Sequence, residues 1–199
     1  MRLTSPLLAL LILSSSAIAL ADDAVEGDVK KERANSINVN PIGAFVGSYN
    51  LNYERLMGSH GLLVEGSFSH QGGDDSSSTN GGVNLGYRWH WRGRQNSGFL
   101  GVTLGYAMGT GEGSISDGTT EKTFDVDTRL LAATANIGKR WAWDNGLNVT
   151  FRIGAGYGNW SVSTDDTDPD AQQVVENVDD LLTLLPIALD GELSLGYAF

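Results

Sequence analysis

The last nine residues of the chain, GELSLGYAF (191–199), alternate without a break up to the terminal carboxylate. Successive side chains of a strand point to opposite faces. Leu193, Leu195, Tyr197 and Phe199 therefore share one face, and Glu192, Ser194, Gly196 and Ala198 share the other. The end of a soluble domain is usually poorly ordered.

The same alternation recurs along the sequence. It is found in SINVNPIGAFV (36–46), YNLNYERL (49–56), GLLVEGSFSH (61–70) and GVNLGYRWHW (82–91). It continues in FLGVTLGYAM (99–108), LLAATANIGKRWAW (130–143), LNVTFRIGAGYG (147–158) and LPIALDGELSLGYAF (185–199). Turn residues separate the segments, the signature of strands. Most are about ten residues long, the length a tilted strand needs to cross a hydrocarbon layer. One face is apolar throughout: Val83, Leu85, Tyr87, Trp89 and Trp91 in the fourth segment, and Leu100, Val102, Leu104, Tyr106 and Met108 in the fifth. The seventh presents Val149, Phe151, Ile153, Ala155 and Tyr157. The opposite face is small or polar. Two segments fit less well. Pro41 lies inside the first, where a bulge or an unmade bond is expected, and Lys139 falls on the apolar face of the sixth, tolerable if it snorkels beside Trp141.

Composition leaves two classes open. The chain has no cysteine, which excludes disulfides and thiolate metal sites. It carries a formal net charge of −11 and 26 glycines. Arg2, the apolar run 6–13 and AIALA (17–21) have the layout of a secretory signal cut after Ala21, with Ala19 nearly as good a site. Residues 22–34 are charged and aperiodic, as in a flexible leader. No other apolar run approaches about twenty residues, so no transmembrane helix is expected. A secreted soluble β protein and a transmembrane barrel remain.

The strand ends decide between them. Tyr87, Trp89, Trp91, Trp141, Trp143, Tyr197 and Phe199 cluster at the ends of segments four, six and eight, on one side of a meander. Such a cluster suits an aromatic girdle at a membrane interface. Connections after segments two, four and six are short, and those after three, five and seven are long. That alternation suits periplasmic turns and extracellular loops, with both termini periplasmic. With its signal, girdle, loop parity and terminal Phe199, the whole chain after the expected cleavage at Ala21 resembles the small eight-stranded outer-membrane barrels of the OmpA transmembrane-domain and OmpX type. The opening hairpin resembles uncharacterised members of that superfamily.

The resemblance implies an all-β, eight-stranded antiparallel up-and-down barrel over 35–199 in the outer membrane of a Gram-negative bacterium. Its partners would be outer-membrane lipid and lipopolysaccharide, and the barrel-assembly machinery reading the strand that ends in Phe199. A monomer without cofactor is expected, and no basic surface suited to nucleic acid is present. The role implied is structural or surface-interacting and non-enzymatic. A narrow solute channel is the alternative, and lipid modification a distant third.

Candidate residues for chemistry are few. The inward phase carries Glu54, Glu65, Arg88, His90, Arg140, Arg152, Asp190 and Glu192. Their charges nearly balance, as in a packed ionic network inside a narrow barrel. Glu65 with Arg88 and Arg152 with Glu192 are expected to face each other across single ladders. The acidity sits in the long connections: Asp74 and Asp75; Glu112, Asp117 and Glu121 with Lys122; and Asp165, Asp166, Asp168, Asp170, Glu176, Asp179 and Asp180. Asp166, Asp168 and Asp170 are spaced like calcium ligands, but the sixth position is not Gly and the twelfth is Asn177, so the segment fails as an EF-hand. His60 is placed in a turn and His90 inside. His70, near Ser67 and Ser69, is the histidine expected at the outer rim, where no recognised nucleophilic motif accompanies it. No catalytic, metal or cofactor site is assigned. Sequons at Asn148 and Asn159 carry little weight in a bacterial-type chain. Val174, Val175, Val178, Leu181 and Leu182 recur at helical spacing, predicting a short helix over 171–182.

Overall fold

The computed structural model describes residues 33–73, 77–116 and 121–199. The expected signal (1–21), most of the leader, Asp74, Asp75 and Asp117 lie outside the described residues. The strands are β1 (Asn35–Val39), β2 (Ser48–Met57), β3 (His60–Gly72), β4 (Ser77–His90), β5 (Ser97–Ser116), β6 (Glu121–Ala142), β7 (Leu147–Ser163) and β8 (Ile187–Ala198). Two helices interrupt them, α1 (Pro41–Phe45) and α2 (Pro169–Leu184). Each strand pairs with its neighbours in sequence, and β8 returns to β1, so the sheet is a closed up-and-down barrel. The expected fold is the observed one.

The start of β1 and the last residue meet at the base of the barrel. Asn35 and Phe199 exchange backbone hydrogen bonds of 3.1 and 2.8 Å. The tight turns at this end place Gly58, Gly93 and Gly146 at φ of 60, 62 and 96°, a region in which a Cβ is strained.

Polarity is inside out. Val83, Leu85, Leu104 and Leu189 are exposed on the outer wall, and Glu54, Arg88, His90 and Arg140 are buried within. The base girdle of Tyr87, Trp89, Trp91, Trp141, Trp143, Tyr197 and Phe199 is exposed as expected. Outward Tyr49, Phe68, Tyr106 and Tyr157 form a second group toward the opposite end, the rim. From Leu147 to Tyr157, ten residues at roughly 3.3 Å with a tilt near 40° give a band about 25 Å high.

Several expectations are corrected. The first segment is not a strand over 36–46. β1 stops at Val39, and Asn40 caps α1 by accepting hydrogen bonds from the Ile42 and Gly43 amides (3.1 and 3.0 Å). Pro41 opens that helix, where its missing N–H costs nothing. His60 is the first residue of β3 rather than part of a turn. The connections after segments three and five are mostly strand: β3 and β4 leave only 73–76 between them, and β5 and β6 only 117–120. The predicted helix is present as the longer α2.

α2 fills a space left by unequal strands. β8 begins opposite Tyr157, so β7 beyond Tyr157 has no β8 partner. The Asp179 carboxylate accepts a hydrogen bond from the Val162 amide (2.8 Å), satisfying part of that edge. Ala171 and Val175 of α2 pack with Phe124, Val126 and Val162. Those three share the inward phase of their strands, so α2 leans over the mouth from the tall β6–β7 wall.

Candidate functional site

Period-2 geometry sends alternate residues of all eight strands toward one axis, and the inward residues of the base half form one network. Glu54 of β2 is its hub. Its Oε2 accepts from Arg88 Nη1 and from Arg140 Nη2, each at 2.7 Å. Its Oε1 lies 2.7 Å from His90 Nε2. Arg140 Nε donates to Thr150 (2.9 Å), and its Nη1 donates to Gln95. Gln95 in turn donates to the carbonyl of Arg33 (3.1 Å), tying the network to the chain just ahead of β1.

Arg88 passes the network toward the middle of the barrel. Its Nη2 donates to Glu192 Oε2 at 2.5 Å, and its guanidinium lies 4.5 Å from the Phe99 ring centroid. Glu192 Oε1 also accepts from Asn52 (2.8 Å) and Ser194 (2.6 Å). Arg152 Nη1 is 3.5 Å from Glu192, and its Nη2 bridges Glu65 (3.2 Å) and Asp190 (2.8 Å). Asp190 Oδ2 accepts from Thr134 (3.1 Å) and Asn136 (2.8 Å). Asn38 donates to Asn52 (2.8 Å), so β1 joins as well.

All eight inward candidates are thus brought together. The pairings differ from expectation in one case. Arg152 and Glu192 are register partners across β7 and β8, as expected. Glu65 and Arg88 are not opposite each other. Glu65 faces Asn84, which donates to it (2.7 Å), and Arg88 faces Gly61. The physical reason is that the β3–β4 register sets Glu65 and Arg88 four positions out of step, so each reaches across the barrel instead of along the ladder. Their inward phase is nonetheless as expected.

Sequence reasoning missed the neutral members. Asn38, Asn52, Asn84, Thr103, Thr134 and Asn136 are polar residues on inward phases, and that phase was the available signal; Gln95 lies in the turn between β4 and β5, where no phase marks it. Three of these amides lie against glycines, Asn136 over Gly101, Asn84 over Gly105 and Asn38 over Gly196, where a Cβ would collide with the carboxamide. Glycine on β5 and β8 is what lets a narrow barrel hold these side chains.

Burial divides the interior into two levels. Glu54, Arg88, His90, Arg140 and Arg152 are at most 2 % exposed, as is Phe99. Toward the rim the inward residues include the partly buried Ser69, Gly82, Ala107, Ala132 and Gly156, and also Leu130, Trp160 and the buried Ala188, which crowd around Gly158. Asp190 lies at the boundary. The arrangement is a charged, plugged base beneath an upper level whose inward residues are mostly uncharged.

Candidates outside the interior are dispersed. His70 points outward and is hydrogen-bonded to Thr79 Oγ1 (Nδ1, 2.9 Å), whereas Ser67 and Ser69 lie on the opposite phase of β3. His60 Nδ1 lies 2.6 Å from Tyr87 Oη on the outer wall. Asp168 serves as the α2 N-cap, accepting from the Asp170 amide (3.0 Å), and pairs with Lys122 Nζ at 2.7 Å. The Lys122 hydrogen bond, aided by the Asp170 amide, holds the Asp168 carboxyl below its ordinary value. Glu112, Asp125, Asp165 and Asp166 line a rim cleft of ≈ 340 Å³ with Thr123 and Phe124. Among the described residues no cluster of His, Asp and Glu has the arrangement of a metal site.

No known family profile matches the chain. No curated protein matches it either. Among solved structures it is similar to CarO2 of Acinetobacter baumannii, with a TM-score of 0.45 and 10 % identity over 84 % of this chain and 98 % of that one. A functional assignment therefore rests on this chain's own residues.

Proposed function

We propose that the protein is a non-enzymatic outer-membrane barrel whose interior is closed by its ionic network and whose acidic rim faces the cell exterior. The observation that carries this reading is the inside-out polarity. A continuous apolar outer wall surrounds a charged, buried interior. An exposed apolar surface of that extent is unfavourable in water and required in lipid. The two aromatic groups bracket a band of bilayer height. Both termini then lie in the periplasm, and the β5–β6 hairpin, α2 and the 164–168 segment lie outside. Outer-membrane lipid and lipopolysaccharide are the partners of the wall, and the chain acts as a monomer with a structural or surface-interaction role. The assembly machinery would read the strand ending in Phe199, after cleavage behind Ala21.

Protease added to intact cells tests the topology. Cleavage within 164–168, with the turns at Gly58, Gly93 and Gly146 protected, is the expected result. Cleavage at the base turns alone would invert the orientation, and a chain recovered in the soluble fraction would end the membrane reading. Deleting Phe199 should lower insertion while leaving export intact.

A further inference from the structure

The two ends of the barrel carry opposite charge outside the interior network. At the rim, Glu112, Asp125, Asp127 and the acidic residues around α2 outnumber Lys122 and Arg129. At the base the described cations are Arg33, Arg55, Arg92, Arg94 and Lys139, against Asp144 and the terminal carboxylate. Arg92 and Asp144 are engaged in contacts of their own. Among the described residues neither Lys139 nor Arg94 has an ion-pair or hydrogen-bond partner.

Lys139 stands in the wall itself. It shares the outward phase of β6 with Ile137 and Trp141, and it lies opposite Gly98 on β5 and Phe151 on β7. Leu100, Ile137, Trp141 and Phe151 are all exposed, so its stem leaves a surface made for lipid. Ser97, where β5 begins, pairs with Arg140, which puts Lys139 one step from the mouth of the β4–β5 turn. The Trp91 indole lies over Gly98, where a Cβ would collide with the ring. The Trp91 amide donates to the Gly98 carbonyl (3.4 Å), so the turn that carries Arg94 hangs from the residue facing Lys139. Lys139 is therefore flanked by two indoles, Trp91 across β5 and Trp141 one step down its own strand. A lysine on an apolar wall runs its stem along that wall and lifts its ammonium to the interface. Tryptophans mark that interface at the level of the lipid head groups.

We infer that Lys139, with Arg94 below it, binds the phosphate of an anionic phospholipid in the leaflet next to the base. The inference rests on the membrane reading above and names a lipid class and a place for it. The indoles set the ammonium at head-group depth instead of in the water below the base. The outward neighbours of Lys139 on β5, β6 and β7 include no carboxylate to receive the ammonium of a zwitterionic head, so a head group of net negative charge fits better. The acyl chains would run up the wall along Leu100, Ile137 and Ala135, which continue the outward phase above Lys139.

NMR of the refolded protein in phosphatidylcholine nanodiscs tests the proposal. Stepwise replacement of that lipid by phosphatidylglycerol should move the Trp91 and Trp141 indole N–H signals and the Gly98 and Lys139 amides along one saturating curve. Phosphatidylethanolamine in the same steps should need a higher fraction, and inorganic phosphate added to pure phosphatidylcholine discs should move nothing. Lys139→Gln should raise the half-saturating fraction about fivefold, the worth of one basic side chain at an anionic surface. Lys139→Arg should restore it, and Arg94→Gln should raise it less. Arg55→Gln makes the same change in net charge four strands away, on the far side of the barrel, and should leave the curve in place. No rise in Lys139→Gln, or an equal rise in Arg55→Gln, would overturn the site in favour of diffuse surface charge. An equal response to phosphatidylethanolamine would overturn the anionic head group, and a response to inorganic phosphate would overturn the lipid as its source. If Lys139→Gln does not fold, the comparison of Arg94→Gln with Arg55→Gln decides. A chain that does not enter nanodiscs at all would instead refute the membrane reading.

Discussion

The base half and the rim of this barrel are built from the same strands by different rules. In the base half, alternation alone decides everything: odd positions of β8 meet the outside, even positions meet the axis, and a one-residue slip would move every charge into the wall. At the rim, β5 and β6 run on to Ser116 and from Glu121, β8 has ended, and a helix takes over the edge of β7. Packing of Phe124 with Ala171 and Val175 holds that end, not a ladder-wide network. The base should therefore respond to charge removal as one cooperative unit, and the rim should fail locally.

The largest effect is expected at the hub. Glu54→Leu leaves Arg88 and Arg140 facing each other in a dry interior and should destabilise by roughly 3–5 kcal/mol. Combining it with Arg88→Met and Arg140→Met should cost less than the sum of the separate changes. Urea unfolding in lipid vesicles measures both, and strict additivity would show that these charges do not form a unit.

Next in size is the corrected pairing. A double-mutant cycle on Glu65 and Arg152 should give a coupling of about 0.5–3 kcal/mol. The same cycle on Glu65 and Arg88, which share no contact, should give a smaller one. The reverse ranking would mean that the β3–β4 register is wrong.

The rim should yield a smaller and local loss. Val175→Ala removes part of the packing under α2 and should weaken it by about 1–2 kcal/mol. Amide exchange in 169–184 should quicken while the urea midpoint of the barrel stays put. A shift of that midpoint would join rim and base into one unit.

The smallest effect concerns Asp168. Its carboxyl is held low by Lys122, so this contact contributes at pH values above the ordinary carboxylate value, about 3.9. The contribution is lost as pH falls through the lowered value of the folded state. In Lys122→Met the Asp168 titration, followed by NMR, should move up toward the ordinary range. An unmoved titration would leave the Asp170 amide as the whole cause.

The same contrast explains what could be read from sequence. Strand phase depends on neighbours two residues apart, so the inward set Glu54, Glu65, Arg88, His90, Arg140, Arg152, Asp190 and Glu192 was legible in full. Which carboxylate meets which arginine depends on register and on reach across the axis, which residue spacing along one strand does not encode. Sequence spacing therefore pairs Glu65 with Arg88, whereas in the folded barrel it meets Arg152. SINVNPIGAFV reads as a strand because Ile37 and Val39 alternate, yet Asn40 and Pro41 together start a helix: a side-chain cap and a ready-made φ outweigh the continuing apolar pattern. The length of the β5–β6 hairpin was hidden because Gly111, Gly113 and Ser114 read as loop residues, while pairing between the two strands holds them extended. The helical spacing of Val174, Val175 and Val178 made α2 visible, but its seat on the mouth follows from β8 ending early, a tertiary fact.

The central claim is that a network of ion pairs and hydrogen bonds reaching all eight strands closes the interior of a membrane barrel. Conductance of the refolded wild type in a planar bilayer tests it most directly. The network predicts a bilayer without steady single-channel steps, and predicts that steps appear when Glu54, Arg88 and Arg140 are all replaced by serine. Reproducible steps from the wild-type protein would contradict the claim.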